Sequence, residues 1–238
     1  MNTLKGKTAI ITGGNRGLGK AVALLLAQEG VNIGLTGRNE EQLASVAAEI
    51  SKIGVKSAYA IFSVDNAQEV KSGIDKLVNE LGGVDILVNN AGIGWFGSLE
   101  KMPAEDWEQV IKTNLFGVYY TSQAVYPYLK EKGEGDVVNV ASTAGLKGGA
   151  NMSSYAASKA AVISLSQSMM AEWRKNNIRV ITLTPSTIAT DMSIEGKLTD
   201  GNPEKVLQPE DFAEWVRDML KMNRRALIAN GSIFSTNP

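Results

Sequence analysis

A chain of 238 residues with a formal net charge of −1 has the length of one large α/β domain and no electrostatic footprint for nucleic acid or an anionic membrane surface. It contains no cysteine and no histidine, which excludes a disulfide framework, a thiolate nucleophile, the Ser-His-Asp triad and the usual zinc ligands. No apolar leader opens the chain and no stretch approaches the ~18 apolar residues of a membrane span, so a cytoplasmic protein acting on a small molecule is expected.

Short Val/Ile-rich runs alternate with longer amphipathic segments, the pattern of a parallel sheet covered by helices on both faces. Strands are expected at residues 8–11, 32–36, 57–62, 86–89, 136–140 and 179–183, with a seventh, edge strand available at 227–229. Helices are expected at 18–28, from Asn39 onward with Gln42 as its capping partner, and at 67–81, 106–131, 154–176 and 209–222. Residues 193–207 hold Gly196, Gly201 and Pro203 with little periodicity, and read as a flexible loop over a substrate pocket. No linker divides the chain, so a single α/β domain with a doubly wound parallel sheet of six to seven strands is expected.

Directly after the first expected strand stands Thr12-Gly13-Gly14-Asn15-Arg16-Gly17-Leu18-Gly19, followed at once by a helix. Glycines there let the backbone approach a pyrophosphate, while the helix start offers free N–H groups and the positive end of its dipole. An ordinary glycine-rich turn is the plain alternative; the strand-turn-helix setting favours dinucleotide binding on a Rossmann-type sheet. At the end of the second strand, Thr36-Gly37-Arg38 lacks the acid that would bind the adenosine ribose of NAD. Arg38 and Arg16 instead offer guanidinium groups suited to a 2′-phosphate, so NADP(H) is the expected cofactor unless both arginines are merely solvated.

Tyr155 and Lys159 stand four residues apart on an expected helix and share one face, a pairing that alone would signify packing and a solvated lysine. Thirteen residues before Tyr155, Ser142 follows the apolar run that ends Asn139-Val140-Ala141, and Asn89-Asn90-Ala91-Gly92 follows the fourth strand. With the glycine turn, these motifs resemble the short-chain dehydrogenase/reductase family over residues 5–192, nearest to its 3-oxoacyl-[acyl-carrier-protein] reductase-like carbonyl reductases.

The resemblance implies an oxidoreductase that interconverts a carbonyl and a secondary alcohol by hydride transfer with NADP(H). It implies Tyr155 as general acid/base, Lys159 as the group that lowers the Tyr155 pKa and holds the nicotinamide ribose, Ser142 as the hydrogen-bonding partner of the substrate carbonyl, and Asn114 as support for a proton-relay water. A phenol titrates near pH 10, so acid/base work at neutral pH asks for about 4 kcal/mol of help for the phenolate, much of which a nearby cation can supply, with the oxidised nicotinamide adding to it. The cofactor would be held by Gly13, Asn15, Arg16, Gly17, Leu18 and Gly19 of the turn, by Arg38, Ser63, Val64, Asn90, Ala91 and Gly92, by Tyr155 and Lys159, and by Pro185, Ile188 and Thr190.

The chain departs from the family where Ser186 replaces the glycine of Pro-Gly-x-x-x-Thr, where Ser63 replaces the Asp of Asp-Val with Asp65 two positions late, and throughout the C-terminal tail. The resemblance further implies a homotetramer assembled through helices 106–131 and 154–176, and a carbonyl substrate either free or linked to an acyl carrier. Lys147 and the basic cluster at 221–225 are candidate contacts for an acidic carrier. A small diketone, keto ester or other free carbonyl compound is the alternative substrate, with Trp95, Phe96, Met152 and the 193–207 loop setting the choice. A non-catalytic, cofactor-sensing protein on the same fold is a third possibility, which the retained Tyr155 and Lys159 count against.

Overall fold

Strands that are apolar on both faces need cover on both faces, and that is the arrangement in the computed structural model, which describes residues 2–236. The strands are β1 (Thr8–Thr12), β2 (Asn32–Gly37), β3 (Ser57–Ile61), β4 (Ile86–Asn89), β5 (Gly135–Val140), β6 (Ile178–Pro185) and β7 (Asn230–Ile233). All run parallel in one sheet of order β3-β2-β1-β4-β5-β6-β7. The helices are α1 (Gly17–Gln28), α2 (Glu40–Ser51), α3 (Ala67–Leu81), α4 (Ala104–Ile111), α5 (Gly117–Lys132), α6 (Ser153–Trp173), α7 (Asp191–Glu195) and α8 (Pro209–Lys221).

Successive strand residues serve opposite layers, as the two-residue repeat requires. Ala9 and Ile11 pack with Val22 and Leu26 of α1, Leu43 of α2 and Phe212 and Val216 of α8. Ile10, between them, joins Ile74 and Leu77 of α3, Val125 and Leu129 of α5 and Met169 and Trp173 of α6. The chain leaves β1 for β2 and β3 on one side, then crosses back to β4 on the other. The strand order therefore reverses between β1 and β4, and the crevice at their C-terminal ends is where such sheets bind ligands.

Three expectations change. The helix expected at 106–131 begins at Ala104 and is interrupted by a π-helical turn, Lys112–Phe116, between α4 and α5; one extra residue in the ladder leaves the apolar periodicity readable on either side. The edge strand lies later than 227–229, because its register is set by β6, Thr182 opposite Asn230 through Pro185 opposite Ile233, while Leu227 packs on the core. The expected loop at 193–207 contains the end of α7, whose N-terminus is closed by Thr190 and Ser193 in a reciprocal capping box, and Leu207 pairs with Ile188. Among the described residues no helix is long and apolar enough to cross a membrane.

Candidate active site

The crevice is built by pinning the end of β4 to the end of β1. The Thr12 hydroxyl accepts hydrogen bonds from the amides of Asn90 and Ala91, each at 3.0 Å, and Asn90 Nδ2 donates to the carbonyls of Thr12 at 2.9 Å and Gly13 at 3.2 Å. Gly13 has φ of +64°, and a side chain there would meet Ala91 Cα at 3.1 Å. A methyl group on Gly19 would lie 2.3 Å from the Gly13 carbonyl oxygen and 2.5 Å from Asn90 Nδ2, so α1 approaches the turn only because that position is bare. Arg16 is the N-cap of α1 and makes no side-chain cap, which leaves the first-turn amides and the positive end of a twelve-residue helix open to the cleft. This cradle fits the pyrophosphate of a dinucleotide.

A cavity of about 1160 Å³ runs through the crevice, and every site residue expected from the sequence lines it except Gly19 and Asn114. Gly19 packs behind the turn, as above. Asn15 Nδ2 donates to Gln42 Oε1 at 2.7 Å, so the side chain paired with the Asn39 cap in the sequence reading holds the glycine turn instead, and only the Gln42 amide serves that cap. Towards the end of β2, Arg38, Ser63 and Val64 share the wall. Asp65, set aside in the sequence, stands next to them: burial opposes its charge, but hydrogen bonds with Ser63 and Gln109 and the nearby Arg38 guanidinium hold its carboxyl below the ordinary range. Arg16 Nη1 pairs with Asp191 Oδ2 at 3.3 Å, between two exposed side chains, tying the glycine turn to α7.

At the other end of the cavity lie Ser142, just past β5, and Tyr155 and Lys159 on one face of α6. The Ser142 hydroxyl accepts from the Ala144 amide at 3.1 Å and so caps the short 3₁₀ turn Thr143–Gly145. Lys159 Nζ donates to the Val140 carbonyl at 2.8 Å and lies 5.6 Å from the centroid of the Tyr155 ring. In the protein alone the phenol is not brought down as expected: burial pushes Tyr155 up, with the neighbouring Ser142 hydroxyl acting in the opposite sense. The same burial lowers Lys159 to about 8, which leaves it largely charged at neutral pH.

Asn114 occupies the middle of the π turn and is fully buried. Its Oδ1 accepts from the Ile93 amide at 2.8 Å, and its Nδ2 donates to the Ile93 carbonyl at 2.9 Å and to Ser158 Oγ at 3.0 Å. Ser158 Oγ in turn donates to the Tyr155 carbonyl at 2.7 Å. The Asn114 side chain is thus committed to fixing the loop after β4 against α6, beside Tyr155.

Two expectations about the cavity mouth are corrected. Phe96, Met152 and Lys147 line the cavity, whereas Trp95 does not; its ring folds over Gly97, where a methyl would meet it at 2.6 Å. The basic cluster at 221–225 lies at the opposite end of the sheet, where Lys221 pairs with Glu29 at 2.9 Å and Arg224 pairs at 3.1 Å with Asp136, near the start of β5. Lys221 and Arg224 are committed to local acids there, and the cluster lies away from the crevice. The contributions of Thr12, Gln42 and Asp191 escaped the sequence reading. Only Thr12 had a local signal, a hydroxyl at the last position of a strand before the glycine turn; the others act across segments far apart in the chain.

The chain matches the short chain dehydrogenase family over residues 7–200. It is 38% identical over 202 residues to the 3-oxoacyl-[acyl-carrier-protein] reductase FabG of Thermotoga maritima, a match covering 85% of this chain and 80% of that protein. An alcohol dehydrogenase from the archaeon Thermococcus sibiricus, solved in complex with 5-hydroxy-NADP, is similar with a TM-score of 0.89 and 29% identity, over 98% of this chain and 97% of that one. NAD+-bound xylitol dehydrogenase is similar with a TM-score of 0.90 and 26% identity, over 98% of this chain and 100% of that one.

Proposed function

The chain belongs to the short-chain dehydrogenase family of nicotinamide-dependent oxidoreductases, and on that premise we propose that it is an NADP(H)-dependent reductase interconverting a carbonyl and a secondary alcohol. The observation that carries this reading is that Ser142, Tyr155 and Lys159 line the same cavity as the glycine turn. A bound nicotinamide would supply or accept the hydride. The open amides at the start of α1 would hold the pyrophosphate, and Arg38 and Arg16 the 2′-phosphate. Asn90, Ala91, Gly92, Pro185, Ile188 and Thr190 would border the rest of the dinucleotide.

Ser142 donates a hydrogen bond to the substrate carbonyl, and Tyr155 gives its proton to the oxygen as negative charge develops there. The upward shift of the phenol keeps it protonated before substrate arrives, the state that reduction requires. Lys159 supplies the positive charge that steadies the phenolate once the proton has left. Asn114 positions α6 and the loop after β4 for that transfer.

The missing acid after β2 and the presence of Arg38 support NADP(H) over NAD(H). The relative from Thermotoga maritima supports a 3-oxoacyl thioester on an acyl carrier as substrate. A free diketone, keto ester or other carbonyl compound is the second reading, favoured by the position of the 221–225 cluster far from the crevice. Assembly as a homotetramer through residues 106–131 and 154–176 would cover Phe116 and Tyr119, two aromatic side chains that are exposed in the single chain; sedimentation as a monomer at micromolar concentration would overturn it.

The test is loss of reduced-nicotinamide absorbance with NADPH or NADH and a panel running from acetoacetyl-carrier and acetoacetyl thioesters to small diketones. Oxidation of NADPH in preference to NADH, abolished in Tyr155→Phe, is the expected result. Tight NADPH binding without turnover across the panel would overturn the reductase reading in favour of a cofactor sensor.

A further inference from the structure

Phe96 sits in a slot that owes its width to two missing side chains. A methyl on Gly94 would fall 2.6 Å from Phe96 Cε2 and 2.7 Å from Cζ, and one on Gly196 would fall 2.7 Å from Cδ2 of the same ring. Neither glycine has a positive φ, so the backbone conformation demands glycine at neither position, although a methyl on Gly196 would also meet the Met192 carbonyl oxygen at 2.9 Å. What these two glycines provide is space for the ring. Gly94 belongs to the loop after β4, and Gly196 is the C-cap of α7. The ring they enclose lies 5.8 Å, centroid to centroid, from that of Tyr155, tilted by 52°. One side chain therefore touches the loop after β4, the end of α7 and the proposed acid/base.

This arrangement fixes the wall beside the reacting carbonyl. A carbonyl that reaches Tyr155 arrives beside the Phe96 ring, which lines the same cavity 5.8 Å from the phenol ring. Met152 and Met192 also line the cavity, and the place a Gly94 methyl would take is 3.5 Å from Met192 Sδ. Thioether side chains adapt to what they meet. A ring clasped between two backbones does not, so Phe96 sets the limit on size.

We propose that Phe96 is a specificity-determining residue that clasps α7 against Tyr155 and restricts the group beside the reacting carbonyl to a short, apolar one, such as the methyl of an acetoacetyl compound. The substrate part of this proposal rests on the reductase reading above; the clasp does not. Aryl ketones are excluded by the ring, and removing the ring admits them.

The experiment compares kcat/KM for ethyl acetoacetate and ethyl benzoylacetate, with NADPH, in the wild type, Phe96→Ala, Gly94→Ala and the double variant. Phe96→Ala is expected to shift the ratio towards the aryl ester by about 10-fold or more. Gly94→Ala, which displaces the ring, lowers kcat/KM for the methyl ketone. The double variant behaves as Phe96→Ala alone, because the only atoms closer than 3.5 Å to the new methyl have been removed. An unchanged ratio in Phe96→Ala, or losses that add in the double variant, overturns the proposal. A second readout needs no turnover: trypsin cleavage after the exposed Lys197, which adjoins Gly196, should accelerate in both single variants by more than their lowered melting temperature accounts for, while their NADPH affinity stays near wild type. Faster cleavage with a wild type inactive on every ketone sinks the reductase reading and keeps the clasp; cleavage at the wild-type rate in both variants removes the clasp whatever the activity.

Discussion

Lys159 and Val140 are joined by a 2.8 Å hydrogen bond from the ammonium to the strand-end carbonyl, and the cation held in this way is buried. Its pKa falls from an ordinary 10.5 to about 8, by desolvation. Between those values the unfolded chain binds more protons than the folded one, so this group's contribution to stability rises with pH. Below pH 8 the buried charge lowers stability by about 3 kcal/mol, and by 10.5 that penalty is gone. Urea unfolding of the wild type and Lys159→Met across this window should show the wild type gaining about 3 kcal/mol relative to the variant. Parallel stability curves would show that burial does not act on this charge.

The upward shift of Tyr155 sets the direction of the pH dependence of catalysis. Carbonyl reduction uses the protonated phenol and should hold through neutral pH, declining only on the alkaline side, whereas alcohol oxidation should rise with pH over the same range. Because Lys159 begins to lose its charge at about 8, the alkaline limb belongs to the pair and not to the phenol alone. Profiles of kcat/KM in both directions check this. Reduction that already declines as the pH rises towards neutrality would contradict it.

Substitution of Gly19 by alanine places a methyl 2.3 Å from the Gly13 carbonyl oxygen, a backbone atom with no means of swinging aside. Overpacking of this kind costs about 1–3 kcal/mol. The strain falls on the turn, so a lower melting temperature should be accompanied by NADPH binding weakened by about 10-fold or more, measured by fluorescence titration. Full affinity in Gly19→Ala would mean that the cradle is not the pyrophosphate site.

Arg38 lies at the same end of the cavity as Ser63 and Val64, with the Asp65 carboxylate close enough to feel its charge. Arg38→Ala should weaken NADPH binding by about 10–100-fold through loss of a charge-assisted hydrogen bond, and leave NADH binding unchanged. Equal losses for the two cofactors would reassign Arg38 to a general electrostatic role.

The parts of this site that could be read in the sequence are those whose chemistry is local. The glycine turn is contiguous, the Tyr155 and Lys159 pair follows the helical repeat, and α3 was placed from its amphipathic pattern at the bounds the structure gives it. The π turn could not be read, because inserting one residue into a helix leaves composition and neighbouring periodicity intact. The strand expected at 227–229 is apolar enough, but pairing with β6 decided the register and moved it on. Capping of α7 was in principle legible in Thr190 and Ser193, and was obscured by the glycines that follow. The basic cluster at 221–225 shows a different limit: charge along a chain does not say at which end of a sheet it will lie.

The π turn also makes one segment intolerant of any change in length. Deleting a single residue from 112–116 would regularise the helical ladder but rotate every side chain of α5 by about 100°. Thr121 and Ser122 would turn away from Asn89, to which they are bound at 2.6 and 2.9 Å, and Val125 and Leu129 would leave the core. Apart from Asn114, side chains along this segment can drift through substitution, but insertions and deletions are barred, so descendants of this chain should show a constant spacing between Val110 of α4 and Thr121 of α5.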